Sequence, residues 1–292
     1  MRRRKWLVVG PRETVFSIRV VNPLGKALFH YTIELESTLA ATGTTAVTLS
    51  FDEPSANGKR RISWLFRHFC VLLSCTFRRQ STIVTWPVLG FFDVAFVAVF
   101  LPRHSVVVVH DPVPLVSSLG YGRLGQALCR FPAFSRRIVV HSEEARDALP
   151  PDARKNARLL PHPVQSIEEV IQTESEGKTI DVLVFGQYKK DRDLELLVAT
   201  AEAHPGWSLL IAGRGWPPVP GWARIDRFIE ESAVDPLLRS ARACLIPYRR
   251  FFQSGVAVRA VEQRIAVIGP KCQSLELLLG NPLMSLGSQA VQ

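Results

Sequence analysis

Short apolar runs rich in β-branched residues alternate with helix-like segments along most of this chain, and no other sequence feature limits the fold as strongly. The clearest run is SVVVVH at residues 105–110. Similar runs occur at residues 137–141, 181–185 and 208–212. Runs that are apolar throughout are typical of parallel strands covered on both faces. Because segments with a helical period separate them, as at 26–41 and 193–204, the pattern predicts an α/β protein with mostly parallel sheets.

The alternation is interrupted once, which predicts two domains. The chain has 292 residues, more than one average domain needs, and LLPHPV at 159–164 is followed by a polar, acidic stretch. We therefore predict two doubly wound, Rossmann-like domains, residues 1–164 and 165–292, facing each other across a cleft. The first strand is expected at residues 6–9. Ligands of such sheets bind at the carboxyl ends of the strands.

The composition limits the classes of binding partner and the cellular compartment that we expect. Lys and Arg total 36 against 26 Asp and Glu, a net charge of +10, which favours nucleic acid, acidic lipid head groups or phosphorylated substrates. Five scattered cysteines without a CxxC pair predict free thiols in a reducing compartment. The start, MRRRKWLVVG, lacks the apolar run of a signal peptide, so we expect a basic arm and a cytoplasmic protein. No nucleic-acid module and no metal-binding motif is recognisable, so neither nucleic acid nor a metal cofactor is predicted.

One segment, residues 84–101, is long and apolar enough to span a membrane. Asp93 near its middle would be costly in lipid, and Pro87 and Gly90 interrupt it. We therefore predict a buried strand, turn and helix.

Three strand ends in the second half carry residues suited to a phosphate ligand. Gly186 begins a turn with Lys189 and Arg192, in which backbone donors and cations suit a diphosphate, although an ordinary solvated turn has the same composition. Gly213, in GRG, gives only a weak nucleotide signal, and a glycine loop needed for tight packing is the favoured interpretation. Gln253, Ser254 and Gly255 precede a helix and predict a phosphate site or a plain N-cap.

In the first half, His110 and Asp111 follow the strongest strand. This pair suits contact with a sugar hydroxyl or proton transfer, and a structural histidine is the alternative. Gly25, in the loop NPLG before the first helix, is placed to approach a ligand. His141 and His162 also lie at element ends but offer less.

Six segments of the chain carry a resemblance to known proteins: VVVVHDPVPL, RIVVHSEEARDAL, LLPHPV, DVLVFGQYKKDRDLELLVAT, WSLLIAGRG and ACLIPYRRFFQSGVAVRAVEQRIAVIGP. Together they resemble the GT-B glycosyltransferases. The resemblance is to the large retaining family called glycosyl transferases group 1, in its subgroup with a PY…QSG motif. It implies catalytic positions at His110 and Asp111. It also implies donor-binding positions at Gly25, Gly186, Lys189, Arg192, Gly213, Tyr248, Gln253, Ser254 and Gly255.

The sequence departs from the family pattern in several places. Two glutamates common in the family are replaced by Phe251 and Arg259, and the usual Arg and Lys of the phosphate turn are Gln187 and Arg192. Family members also continue through further helices beyond the position of Gly280, so the resemblance implies a short, apparently truncated C-terminal domain.

The expected function is transfer of a hexose from a UDP- or GDP-sugar, as co-substrate, to a saccharide or lipid-linked acceptor of the cell envelope, with retention. The basic, aromatic segment 62–79 predicts peripheral contact with an anionic membrane surface, on its inner face. The alternative is a catalytically impaired remnant that binds a nucleotide-sugar or saccharide.

Overall fold

The computed structural model describes residues 17–51, 59–114, 118–164 and 177–280. Within these residues the strands form two separate sheets, and every strand pairing is parallel. The chain is α/β, as predicted. Within each sheet, crossover connections bring the chain back to the edge at which the preceding strand began, so the next strand runs in the same direction.

The first sheet has the order β2-β1-β3-β4-β5-β6. Its strands are β1 (Ser17–Asn22), β2 (Thr45–Ser50), β3 (Thr82–Val84), β4 (Val106–Val108), β5 (Ile138–Val140) and β6 (Arg158–Leu159). Its helices are α1 (Phe29–Ala41), α2 (Lys59–Phe77), α3 (Phe91–Phe100), α4 (Arg123–Leu128), α5 (Pro132–Ser135), α6 (Glu143–Asp147) and α7 (Pro151–Arg154). Val21, Val84, Val107 and Val140 are almost fully buried under these helices and form the centre of the first core.

The second sheet has the order β11-β10-β7-β8-β9. Its strands are β7 (Ile180–Phe185), β8 (Leu209–Ala212), β9 (Ala223–Ile225), β10 (Ala241–Leu245) and β11 (Ala266–Ile268). Its helices are α8 (Leu194–Ala203), α9 (Glu231–Arg239), α10 (Gly255–Glu262) and α11 (Gln273–Leu278). Its two faces pack into two hydrophobic clusters, one centred on Leu183 and Ile246 and the other on Val184 and Ile211.

The strand expected at residues 6–9 lies outside the described residues, and the first described strand is β1. Arg19 and Ser17 interrupt its apolar pattern, which is why the sequence did not reveal it. One detail differs from the sequence-based expectation: the stretch interpreted as a connection at 159–164 begins inside strand β6.

The apolar segment 84–101 forms the end of β3, a turn and helix α3, as predicted. Asp93 is buried, its Oδ2 accepts a hydrogen bond from the Leu89 backbone N–H (2.8 Å), and its Oδ1 lies 3.2 Å from Nε2 of His68. Across the described ranges, no helix combines the length and the apolar character that crossing a membrane requires.

Candidate active site between the two sheets

The carboxyl ends of the two sheets meet at the loops that follow β4 and β10. His110 and Asp111 extend from β4, while Arg250 and Gln253 belong to the loop after β10. The Gln253 amide contacts Nδ1 of His110, and Nη2 of Arg250 lies 3.7 Å from Oδ1 of Asp111. The predicted catalytic pair therefore lies against the predicted phosphate-binding loop.

His110 is held as a neutral imidazole. Its Nε2 is 2.9 Å from the carbonyl oxygen of Thr85, which can only accept, so Nε2 carries the proton and Nδ1 accepts from the Gln253 amide. The ring stacks on Trp86 with centroids 5.7 Å apart. Burial lowers the pKa of His110 well below its usual value, and the neighbouring His141 and His162 lower it further. Such a group is suited to orienting a hydroxyl by hydrogen bonding, and less suited to donating a proton at neutral pH.

Asp111 brings a carboxyl group to the same place. Burial raises its pKa, and the positive charges of Arg250 and Lys189 oppose that rise. Its Oδ1 is buried and accepts no hydrogen bond within the described part of the chain. A buried carboxyl oxygen that accepts no hydrogen bond is a ready acceptor for a ligand hydroxyl.

Gly186 and Gly213 form two turns that are locked together. A Cβ on Gly213 would lie 1.9 Å from the carbonyl oxygen of Gly186, and Gly213 has φ of +151°, so packing requires glycine there. Gly186 has φ of +112°, and a Cβ on it would come no nearer to another atom than 3.9 Å, to Val256. Gly186 is thus open to an approaching ligand, whereas Gly213 has a packing role that alone accounts for the residue.

The two predicted cations of this turn differ in their surroundings. Lys189 is exposed and acts electrostatically on Asp111. Arg192 is only 8% exposed; its guanidinium lies 3.6 Å from the centroid of the Tyr248 ring, and its Nη1 lies 3.2 Å from Oδ1 of Asp191. Buried Arg192 and half-buried Tyr248 therefore pack as one unit in which the arginine charge is already partly compensated.

Ser254 and Gly255 begin α10. The Ser254 hydroxyl accepts a hydrogen bond from the backbone N–H of Ala257 (3.2 Å), so Ser254 is the N-cap of this helix. The unpaired N–H groups of the first turn and the helix dipole favour an anion at the same end. Both interpretations made from the sequence remain compatible with this geometry.

Gly25 lies in the loop between β1 and α1, which the Asn22 side chain holds in place. The Asn22 amide donates to the carbonyl oxygen of Gly25 (3.0 Å), and its carbonyl oxygen accepts from the backbone N–H of Leu24 (3.0 Å). Gly25 has φ of +48° and is buried. Beside it, Nζ of Lys26 lies 5.9 Å from the centroid of the Phe228 ring in the second half of the chain.

Sequence reasoning gave too little weight to the histidines beside His110. The Tyr31 ring has its centroid 4.8, 5.5 and 5.2 Å from those of His110, His141 and His162, and its hydroxyl donates to Nε2 of His141 (2.9 Å). Burial lowers the pKa of His141, and it lowers that of His162 to about 4. His141 directly follows β5, and His162 lies just beyond β6, so their positions after strands were the signal in the sequence.

A second group, which sequence reasoning missed, joins α1 to α10. His30 Nε2 lies 2.6 Å from Oε2 of Glu262 and 3.1 Å from Oε1 of Glu34. Burial would lower the pKa of His30, but the two carboxylates outweigh it and raise that pKa to about 9. Burial and Glu262 raise the pKa of Glu34 to about 7, against the opposing effect of His30. The only signal in the sequence was the His30–Glu34 spacing of four, which places both on one helix face.

The two positions where the family carries glutamate are structural in this chain. Phe251 is buried in the second core. Arg259 is buried on α10; its Nε lies 2.6 Å from Oδ1 of Asp235, and its Nη1 contacts Glu231, both on α9.

No protein-family model matches the sequence, and no curated protein matches it. Solved structures do share its fold. Sucrose-phosphate synthase from Thermosynechococcus elongatus superimposes with a TM-score of 0.59 at 12% identity, over 90% of this chain and 83% of that one. An α,α-trehalose-phosphate synthase (UDP-forming) from Burkholderia vietnamiensis gives 0.57 at 11% identity, over 92% and 88%. AviGT4, a glycosyltransferase involved in avilamycin A biosynthesis, gives 0.53 at 17% identity, over 91% and 81%. With its two parallel sheets, the chain thus has the GT-B fold of these structures.

Proposed function

We propose that this chain is a glycosyltransferase that binds a UDP- or GDP-hexose between its sheets and transfers the hexose, with retention, to a saccharide or lipid-linked acceptor. The observation that carries the proposal is the meeting of His110 and Asp111 with Gln253 and Arg250, beside the N-terminus of α10. The similar structures include a UDP-forming synthase and a glycosyltransferase, which supports this reaction class.

In this proposal the second sheet holds the diphosphate. Lys189 and Arg250 supply positive charge, the first turn of α10 supplies backbone N–H groups, and Gly186 leaves room for the ligand to approach. As the bond from the sugar to the diphosphate breaks, negative charge grows on the leaving phosphate, and these fixed groups stabilise it. The new bond forms to the acceptor hydroxyl oxygen, and the proton of that hydroxyl passes to the oxygen of the leaving phosphate.

The first sheet positions the sugar. Neutral His110 and the carboxyl of Asp111 are hydrogen-bonding groups for sugar hydroxyls, and they hold the reacting carbon near the acceptor. For His110 to bind a hydroxyl through Nδ1, the Gln253 amide must leave that atom. Its release would couple donor binding to a local rearrangement of the loop after β10. Closure of the sheets would exclude water and limit hydrolysis of the donor.

The first test is thermal stabilisation of the purified protein by UDP-, GDP-, ADP- and dTDP-sugars, because a ligand that binds only the folded state raises the melting temperature. We expect one nucleotide to give a larger rise in melting temperature than the others, and turnover to follow with a suitable acceptor.

His110→Ala should lower turnover more than donor affinity. His104→Ala is the matched control, since this exposed histidine lies just before the opposite end of β4. Equal effects of the two variants would show that His110 is not at the reacting centre.

The donor side has its own test. Lys189→Ala, Arg192→Ala and Ser254→Ala should weaken donor binding. Arg242→Ala, which removes an exposed arginine at the amino end of β10, should leave it unchanged. If all three site variants bind the donor as the wild type does, the diphosphate does not bind at this edge.

A second candidate function is a binding protein without transferase activity. It is favoured by Phe251 and Arg259, which replace the family glutamates and serve the core and an ion-pair network. A protein of this kind would bind one nucleotide-sugar but neither transfer nor hydrolyse it. Any donor-dependent product formation that His110→Ala abolishes would exclude this candidate.

We further propose that the acceptor side rests on an anionic membrane as a peripheral contact. One face of α2 exposes Ile62, Phe66, Phe69 and Phe77, and Arg61, Arg67, Arg78 and Arg79 are exposed around it. Apolar insertion and attraction to acidic lipids act together on such a helix.

Flotation with vesicles containing acidic lipid should recover the protein. Phe66→Ser combined with Phe69→Ser should reduce recovery, and Phe131→Ser, at another exposed phenylalanine, should not; no flotation of the wild type would refute the contact.

A further inference from the structure

The cluster of His30, Glu34 and Glu262 joins helices from the two halves of the chain. His30 and Glu34 lie one turn apart on α1, and Glu262 is the last residue of α10. One ligand atom from each side chain can be chosen so that all three lie within 4.8 Å of one another. His30 and Glu262 are 232 positions apart in the sequence, and they belong to helices that cover different sheets, so only the tertiary structure brings them together.

Glu34 is the unusual member of this cluster. Its side chain is 1% exposed, and neither carboxyl oxygen accepts a well-directed hydrogen bond among the residues that the structure describes. His30 Nε2 is 3.1 Å away, but it is closer to Glu262 at 2.6 Å. His162 Nδ1 is 3.7 Å away and is directed at the carbonyl oxygen of Pro163, at 2.7 Å. A buried carboxylate left in this state is costly, since neither water nor a donor replaces its hydration.

The two carboxyl groups of the cluster are both at least 98% buried, and both lie against the His30 ring. Each can bring one oxygen to the point at which His30 brings a ring nitrogen. A divalent ion at this point would supply the Glu34 oxygens with the interaction that no hydrogen bond gives them, and it would displace the proton that a buried carboxyl group otherwise holds.

We propose that His30, Glu34 and Glu262 bind one divalent metal ion, Zn²⁺ according to the chemistry of the donors, and that this ion joins α1 to α10. One imidazole and two carboxylates are ligands that zinc accepts, and a three-residue set leaves a fourth position for water or a ligand. Zinc–ligand bonds of about 2.0–2.2 Å in tetrahedral geometry place ligand atoms about 3.3 Å apart. The two carboxylate oxygens lie 2.6 and 3.1 Å from His30 Nε2, and ligand atoms of all three residues lie within 4.8 Å of one another, so binding requires movements of the side-chain ends and not of the helices.

The site lies next to the histidine group around Tyr31, the residue that follows His30. A metal there would fix α1, and with it Tyr31, relative to α10. The inference does not depend on the proposed transferase activity, because the metal site is defined by its ligands and its test measures metal binding. The sequence had predicted no metal site, since no stretch of it carries a metal-binding motif.

The test is Zn²⁺ titration of the whole chain after dialysis against a chelator, in a Cys70→Ser background that removes an exposed thiol as a competing ligand. We expect one equivalent to bind and the melting temperature to rise with it. Cobalt should bind in its place and give visible absorption bands without a thiolate charge-transfer band.

Two isosteric variants and one control make the result specific. Loss of a residue that only supports a metal ligand typically weakens metal affinity by about 10- to 100-fold, so Glu34→Gln and Glu262→Gln should each weaken it by about 100-fold or more. Glu36→Gln is the matched control on α1, because Glu36 instead contacts the Thr48 hydroxyl of β2. Wild-type protein that binds no stoichiometric zinc would overturn the proposal, and so would unchanged affinity in both site variants. Neither outcome would bear on nucleotide-sugar binding.

Discussion

Arg259→Glu would place in this chain the residue that the resembling family carries at this position, and the structure predicts that it destabilises the protein. Arg259 is buried on α10 and is paired with Asp235 and Glu231 of α9. Glutamate would remove both ion pairs and would put a third carboxylate beside the other two. The change should therefore weaken the packing of α10 against α9.

The magnitude follows from the exposure of the partners. The side chains of Asp235 and Glu231 are 34% and 45% exposed, so each pair is screened and is worth up to about 1 kcal/mol. Removing both pairs costs about 1.5 kcal/mol in the free energy of unfolding. Adding two repulsions of similar size at the same positions brings the total for Arg259→Glu to about 3 kcal/mol.

Urea unfolding of the wild type, Arg259→Glu and Arg259→Gln separates the two contributions. Glutamine removes the pairs without adding charge, so it should cost about half as much as glutamate. The difference between the two variants should shrink in about 1 M NaCl, where the Debye length is about 3 Å. A glutamate variant as stable as the glutamine variant would refute the ion-pair explanation. Tighter donor binding by the glutamate variant would instead show that this position faces the ribose.

The remaining predictions concern His110, Ser254 and Gly213. Because burial lowers the folded-state pKa of His110, the unfolded chain binds one more proton than the folded chain below about pH 6.5. Between about pH 7.5 and 5.5 the wild type should therefore lose about 1.4 kcal/mol more of its free energy of unfolding than His110→Gln does. Equal losses in urea unfolding would show that His110 is charged in the folded state. Ser254→Ala should cost about 1 kcal/mol of stability through the lost N-cap and Ser254→Gly only a few tenths; equal melting temperatures of all three proteins would contradict the capping role. Gly213→Ala should destabilise the folded protein by about 1–3 kcal/mol, because the new Cβ would lie 1.9 Å from the Gly186 carbonyl oxygen. The matched variant Gly206→Ala, at an open position, should leave the urea midpoint nearly unchanged. Similar midpoints for the two variants would show that the turns at Gly186 and Gly213 are not packed against each other.

Local pattern was sufficient for most of the fold. Runs such as VVVV at 106–109 and VLVF at 182–185 are apolar at every position, and a strand of this kind is stable only when both faces are covered. The exceptions are elements whose local signal is weak. β1 has Arg19 within it, and β6 spans only Arg158–Leu159, so their pairing with neighbouring strands decides their structure.

The sequence by itself determined where chemistry could lie, because residues that follow apolar strands reach the carboxyl edge of a sheet in any doubly wound fold. His110, Asp111, Gly186 and Gln253 were identified in this way. Only the tertiary structure decided which of them meet and which side chains join them. His30 and Glu34 meet Glu262 across the two halves, Arg192 packs on Tyr248, and Arg259 pairs with α9. Local pattern carries no record of such contacts, because they join residues that are distant in the sequence. The contacts of Glu262 with His30 and Glu34 depend on how the helices of the two sheets are placed against each other, and the other two depend on how loops and helices pack around the second sheet.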